Sequence, residues 1–181
     1  MDRPRPWLRY VDAADLGDAD IEFEGLDVRN GGGEKLGDVD GFIIDADSGT
    51  PYYVVVDSGG WFKSKHFLLP VGHARFDPAR QMFVADLERD RIDRFPGFDK
   101  DAFEKLSDEE LEQIDLRTAA VCCPSDVVSS TTGAWGDRWS HYRQPDWWQS
   151  NYYRPDRAGA RGIVAGADMG RASAHDRSRK E

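Results

Sequence analysis

The strongest constraint on this chain is a run of short apolar segments punctuated by glycine. Its clearest piece is Gly33-Glu34-Lys35-Leu36-Gly37-Asp38-Val39-Asp40-Gly41-Phe42-Ile43-Ile44-Asp45. Glycine tolerates the positive φ that tight turns demand, so Asn30-Gly31-Gly32-Gly33 closes a first strand at Leu26 to Arg29 and opens a second at Val39 to Asp45. Side chains alternate across a strand with period two, which sets Phe42 and Ile44 against Gly41 and Ile43. Asp47-Ser48-Gly49 is hairpin-turn chemistry, and Tyr52 to Asp57 is apolar on both faces, the mark of a central strand. After Ser58-Gly59-Gly60, Lys65 to Val71 places Phe67, Leu69 and Val71 on one face; Ala74 to Phe76 and Met82 to Leu87 read as a last hairpin. Five or six short strands at near-regular spacing predict a mainly β fold, a small antiparallel β-barrel spanning 25–98. Closing such a sheet on itself would remove its edges.

Pro96-Gly97 ends the strand pattern. Phe98, Ala102, Phe103 and Leu106 then fall on one side of a short helix, and Ser107-Asp108-Glu109-Glu110 is a capping box opening a second helix to about Arg117. This helical segment, 99–117, is expected to cover an open end of the barrel, with partner binding as the alternative.

The flanks read differently. Residues 1–24 form an acidic lead-in, with Trp7, Leu8 and Tyr10 as its docking residues. Residues 118–181 are poor in aliphatics and rich in Gly, Ser, Arg and Asp, without a sustained period, and are expected to form a largely disordered tail. That tail concentrates aromatics (Trp135, Trp139, Tyr142, Trp147, Trp148, Tyr152, Tyr153) and arginines (Arg138, Arg143, Arg154, Arg157, Arg161).

Charge narrows the partners. The formal net charge is −10, and residues 1–117 hold 15 Lys and Arg against 27 Asp and Glu. Nucleic-acid binding draws on basic side chains that displace counterions from phosphate, so the acidic body is a poor nucleic-acid binder. The apolar runs fall far short of the roughly 20 residues that span a bilayer, and no basic-then-apolar signal opens the sequence. A cytoplasmic protein without a membrane span is the expectation.

Candidate chemistry is sparse. Asp20-x-Glu22-x-Glu24-Gly25 begins like a calcium loop, but Gly31 stands where a bidentate carboxylate is needed. His66, His73, His141 and His175 lack the clustered partners of a metal site. No Gly-x-Ser-x-Gly elbow is present, and Gly31-Gly32-Gly33 precedes no helix that would cradle phosphate. Cys122 and Cys123 are neighbours whose spacing disfavours a mutual disulfide, and they read as reduced thiols; a vicinal redox switch or soft-metal site is the sharper alternative. Asp38, Asp40, Asp45 and Asp47 crowd one hairpin and read as solvent-facing acids. The expectation is no catalytic residue, no metal and no cofactor.

The central stretch resembles the PRC-barrel family, the barrel domain of the photosynthetic reaction-centre H subunit and of the ribosome-maturation factor RimM. The resemblance rests on Gly25-x-x-Val28, Gly33-Glu34-Lys35-Leu36-Gly37-Asp38-Val39, Phe42-Ile43-Ile44-Asp45, Gly49-x-x-Tyr52-Tyr53-Val54-Val55-Val56 and Phe67-Leu68-Leu69-Pro70. It covers about 75 of 181 residues, and the stand-alone bacterial members are nearest in layout. It implies a non-enzymatic assembly and interaction module that self-associates or docks a protein partner. Exposed aromatics often mark contacts, which makes Trp61, Phe62, Trp135, Trp139, Trp147 and Trp148 the candidate partner-binding residues; the alternatives are that Trp61 and Phe62 pack over the barrel mouth and that the tail folds back on the acidic body. One alternative is an RNA-associated factor of ribosome-maturation type, stacking bases on the tail aromatics beside Arg138, Arg143 and Arg154. A more distant one is electron-transfer support of the H-subunit kind.

Overall fold

The structure, a computed structural model, describes residues 8–18, 20–59, 65–122 and 145–153. Its centre is β3 (Lys35–Asp45), an 11-residue strand that gathers three neighbours. Along one edge it pairs antiparallel with β4 (Pro51–Asp57) through the turn at Asp47 to Gly49. Its other edge is divided. Residues 35–38 pair with β2 (Asp27–Asn30), and residues 41–45 pair with β1 (Leu8–Asp12), in the register Leu8 to Asp45 and Asp12 to Gly41. A register shift between Val39 and Gly41 marks the change of partner. Gly41 sits there because a Cβ would meet the Tyr10 ring and the Val11 carbonyl oxygen at 2.5 Å.

The remaining strands are β5 (His66–Pro70), antiparallel to β4, and the hairpin β6 (Ala74–Asp77) and β7 (Met82–Ala85). β7 runs parallel to β2. The path is β5-β4-β3-β2-β7-β6, with β1 attached to β3 off that path.

This corrects the expected closed antiparallel barrel. The protein is a mainly β, seven-stranded open sheet with one parallel pairing. Closure requires the two outer strands to pair, and β5 and β6 are not hydrogen-bonded neighbours. Carbonyls on both outer strands bond elsewhere. The His66 oxygen accepts from the Phe98 N–H at 2.9 Å, and the Ala74 oxygen accepts from the Trp147 indole at 3.0 Å. Edge groups are thus satisfied by covering segments in place of a further strand.

Period-two alternation distributes the core over two faces. Phe42, Ile44, Val54, Val56, Phe67 and Leu69 enter one cluster, with Val28, Leu36 and Phe83. Ile43, Tyr53, Val55 and Leu68 enter the other. The second cluster is covered by α1 (Lys100–Phe103) and α2 (Asp108–Cys122), which contribute Phe103 and Leu111, with Leu106 and Ile114 packed alongside. The capping box forms: Glu110 accepts from the Ser107 N–H at 2.8 Å, and Ser107 Oγ accepts from the Glu110 N–H at 3.2 Å. The helices therefore cover a sheet face, close to the expected role.

Two flanking segments depart from expectation. The acidic lead-in contributes β1, with Leu8 and Val11 buried. Within the presumed disordered tail, residues 145–153 lie packed against the first cluster.

Candidate functional site: an aromatic groove

Phe23, Phe42 and Phe83 are fully buried and come from three separate parts of the chain. Phe23 meets Phe42 edge-on at 5.3 Å and lies roughly parallel to Phe83 at 6.2 Å. Against these rings sits the segment Pro145-Asp146-Trp147-Trp148-Gln149-Ser150-Asn151-Tyr152-Tyr153. Trp147 packs edge-on to Phe83 at 4.8 Å. Trp148 meets Phe42 at 5.5 Å and Phe23 at 6.2 Å, and Tyr152 meets Phe23 at 5.4 Å and Trp148 at 5.7 Å. Edge-to-face and offset arrangements at such separations add about 0.5–1.5 kcal/mol per pair beyond area burial.

Buried indoles need acceptors for their N–H groups, and both find main-chain carbonyls. Trp147 Nε1 donates to Ala74 at 3.0 Å and Trp148 Nε1 to Gly49 at 3.1 Å. A third bond runs the other way, from the Gly17 N–H to the Tyr152 carbonyl at 3.2 Å. Gly17 adopts φ +100°, a conformation suited to glycine, and a Cβ there would collide with the Ile21 carbonyl oxygen. Tyr152 has its phenol pushed above the ordinary range, first by burial and then by the charges of Asp18 and Asp20. The groove thus seats the aromatic segment by ring packing and by hydrogen bonds to main-chain groups at three separate places, Gly17, Gly49 and Ala74.

A second locus lies where β1, β3, β4 and β5 meet. His66 Nε2 stands 3.7 Å from Asp40 Oδ1 and 3.8 Å from Asp57 Oδ2. Tyr10 Oη donates to Asp40 Oδ2 at 2.7 Å, and the phenol is held far above its ordinary range by burial, then by the bond to Asp40 and its charge. Nearby opens a cleft of about 700 Å³ lined in part by Lys65, His66, Arg89, Asp93 and Phe98. The Lys65 ammonium donates to the carbonyls of Ile92 and Asp93 at 3.1 and 3.0 Å. Among the described residues, no group of three or more His, Cys, Asp or Glu side chains is arranged to hold a metal ion.

The structure divides the six candidate contact residues. Trp61, Phe62, Trp135 and Trp139 lie outside the described residues, as do Cys123 and the tail arginines. Trp147 and Trp148 are brought together, but facing inward: Trp148 is 6% exposed, and Trp147 is partly buried against the same core. This inward position is the fold-back alternative for the tail: the Phe23, Phe42 and Phe83 rings offer apolar cover and two carbonyls accept the indole N–H groups. Cys122 is buried, its thiol donating to the Ala119 carbonyl at 3.9 Å. Sequence reasoning missed the receiving side altogether, Phe23, Phe83, Gly17, Gly49 and Ala74. The available signal was Trp147-Trp148, two rings too large to leave in water at no cost.

Comparison with known proteins agrees with the strand pattern. Residues 19–93 match the PRC-barrel domain. A protein of Deinococcus radiodurans described as uncharacterized is 38% identical over 60 residues, a match covering 33% of this chain and 22% of that protein. The matched stretch is therefore about a fifth of the relative's length. The match places a PRC-barrel domain at residues 19–93 of the chain, framed by a strand before it and an aromatic segment after it.

Proposed function

We propose that this chain is a non-enzymatic protein-interaction and assembly module built on its PRC-barrel domain. One observation carries the reading: the aromatic segment 145–153, a turn followed by a short 3-10 helix, seats on the Phe23, Phe42 and Phe83 rings through ring packing, two indole bonds to main-chain carbonyls and one main-chain bond to Gly17. Aromatic anchors seated in apolar cover, with their polar N–H groups satisfied, are the residues that carry most of the affinity in protein–protein contacts. On the two outer strands the His66 and Ala74 carbonyls are taken by Phe98 and Trp147, which supports it further. Such shielding keeps an open sheet from pairing indiscriminately, so contacts are left to specific side chains. No helix among the described residues is long and apolar enough to cross a membrane.

The test uses the full-length chain in sedimentation velocity and as bait for cross-linked capture from its host. Self-association, or a protein partner retained at physiological salt, supports the reading. A chain that stays monomeric at about 100 μM, far above the micromolar Kd of ordinary weak complexes, and retains no partner sinks it.

A further inference from the structure

The segment that fills the groove is distant in sequence from the body it fills. α2 is described to Cys122 and the segment begins at Pro145, so 22 residues, 123 to 144, lie between them. At full extension such a connection reaches at most roughly 80 Å. A domain of this size has a radius of gyration of about 13–14 Å. Covalent geometry therefore does not oblige the segment to fill the groove of its own chain.

Specificity resides wholly in the segment and the groove. Two consecutive indoles donate to carbonyls on different elements, Ala74 at the start of β6 and Gly49 in the β3–β4 turn, while Tyr152 offers its carbonyl to Gly17. Of the nine residues from 145 to 153, only Asp146 is charged. Seating the segment in another acidic body therefore meets little direct repulsion from the segment itself. The repulsion comes from the bodies, each chain carrying a net −10, and salt screens it over about 8 Å at physiological ionic strength.

We propose that residues 145–153 exchange between two copies of this chain, each segment filling the partner's Phe23-Phe42-Phe83 groove in a two-fold homodimer. This rests on the assembly reading and names a second copy as the partner. Closed and exchanged forms make the same groove contacts, so their balance is set by the effective concentration of a segment over its own groove, on the order of millimolar for short connections in general. The closed monomer dominates in dilute solution. Exchange populates when the chain is concentrated or when salt screens the bodies.

The experiment adds a fluorescent nonapeptide of sequence 145–153 to the full-length chain and to its Trp148→Ala variant, with anisotropy as the readout. The expected result is saturable binding to Trp148→Ala, at least tenfold tighter than to the wild-type chain, whose resident segment competes. The same peptide carrying Trp147→Ala and Trp148→Ala should not bind. A variant shown folded by circular dichroism that takes up no peptide at about 1 mM, the scale of the intramolecular competitor, overturns the exchange. Should Trp148→Ala fail to fold, the wild-type chain is labelled at its N-terminus with donor or acceptor, and the two pools are mixed at about 1 mM. Energy transfer that excess peptide abolishes supports exchange, and no transfer overturns it. Dimers insensitive to the peptide also overturn exchange while leaving the assembly reading intact, as does a chain that captures a different protein without forming homodimers.

Discussion

The Trp148 indole N–H donates to the main-chain carbonyl of Gly49, a residue 99 positions earlier, at 3.1 Å. This bond ties the C-terminal aromatic segment to the β3–β4 turn. Gly49 itself takes φ +71° and returns its own N–H to the Asp45 carbonyl at 2.7 Å. The same glycine thus closes a local turn and receives a distant segment.

Removing that ring should be costly. Trp148→Ala is expected to destabilise the chain by about 3–5 kcal/mol, the range for large aromatic truncations in cores. Trp148→Phe keeps apolar volume but leaves the Gly49 carbonyl without its indole donor, a loss of about 1–3 kcal/mol. Urea unfolding followed by near-ultraviolet circular dichroism separates the two. Equal midpoints for Trp148→Ala and the parent chain would show that the segment is not part of the core.

On the opposite face, Tyr53 Oη donates to Asp115 Oδ1 at 2.8 Å, and Asp115 is only 3% exposed. This bond fixes α2 over the sheet, since a buried carboxylate needs donors. Tyr53→Phe should cost about 1–3 kcal/mol. Combined with Asp115→Ala, it should show a coupling of about 0.5–3 kcal/mol in a double-mutant cycle. Strict additivity of the two single changes would mean that the helix is held by apolar contact alone.

Gly41 is irreplaceable for a steric reason. A Cβ there would lie 2.5 Å from both the Tyr10 ring and the Val11 carbonyl oxygen. Gly41→Ala should therefore loosen β1 and destabilise by about 1–3 kcal/mol, as overpacking does. Gly97→Ala, where a Cβ meets nothing within 4 Å, should stay within about 0.5 kcal/mol of the parent. Hydrogen exchange at Tyr10 and Val11 reads the loss of β1 directly, and undisturbed protection there in Gly41→Ala would contradict the tight approach of the two strands.

Acid and alkaline limits differ in origin. Asp27 titrates below its ordinary range, because Lys35 and then Arg29 hydrogen-bond to it. Lys35 titrates above its range, because Asp38 and then Asp27 accept from it. Stability from Asp27 is present above its unfolded pKa of about 3.8 and is lost as pH falls below that through the folded value. Stability from Lys35 is present below about 10.5 and is lost as pH rises through its folded value. These side chains are 33% and 43% exposed, so solvent screening holds the cluster to about 1 kcal/mol or less. Lys35→Met should lower the urea midpoint slightly at pH 7, and the difference should shrink towards pH 2. A difference that persists unchanged at pH 2 would assign the effect to packing.

Local patterns carried much of the fold. Strands β2 to β7 were legible because alternation and glycine turns are encoded within each segment, and Ser107 to Glu110 announced its own helix start. β1 was not legible: Leu-Arg-Tyr-Val-Asp is short, its partner Phe42 lies 31 residues on, and acidic neighbours masked it. For the groove, sequence marked Trp147 and Trp148 as important but left open whether they meet a partner or fold back on the body. Burial depends on Phe23, Phe42 and Phe83 converging from separate strands and loops, which no window of sequence contains.

By itself, the sequence determined strands β2 to β7, their turns, the domain family of residues 19–93 and the start of α2, since each depends on neighbours within a few positions. Tertiary structure alone decided that the sheet stays open, that β3 divides one edge between β1 and β2, and that an aromatic segment far along the chain completes the core. Those outcomes depend on which edge carbonyl finds which donor. That choice is made between residues tens of positions apart, where Trp147 reaches Ala74 and Phe98 reaches His66 in place of a closing strand.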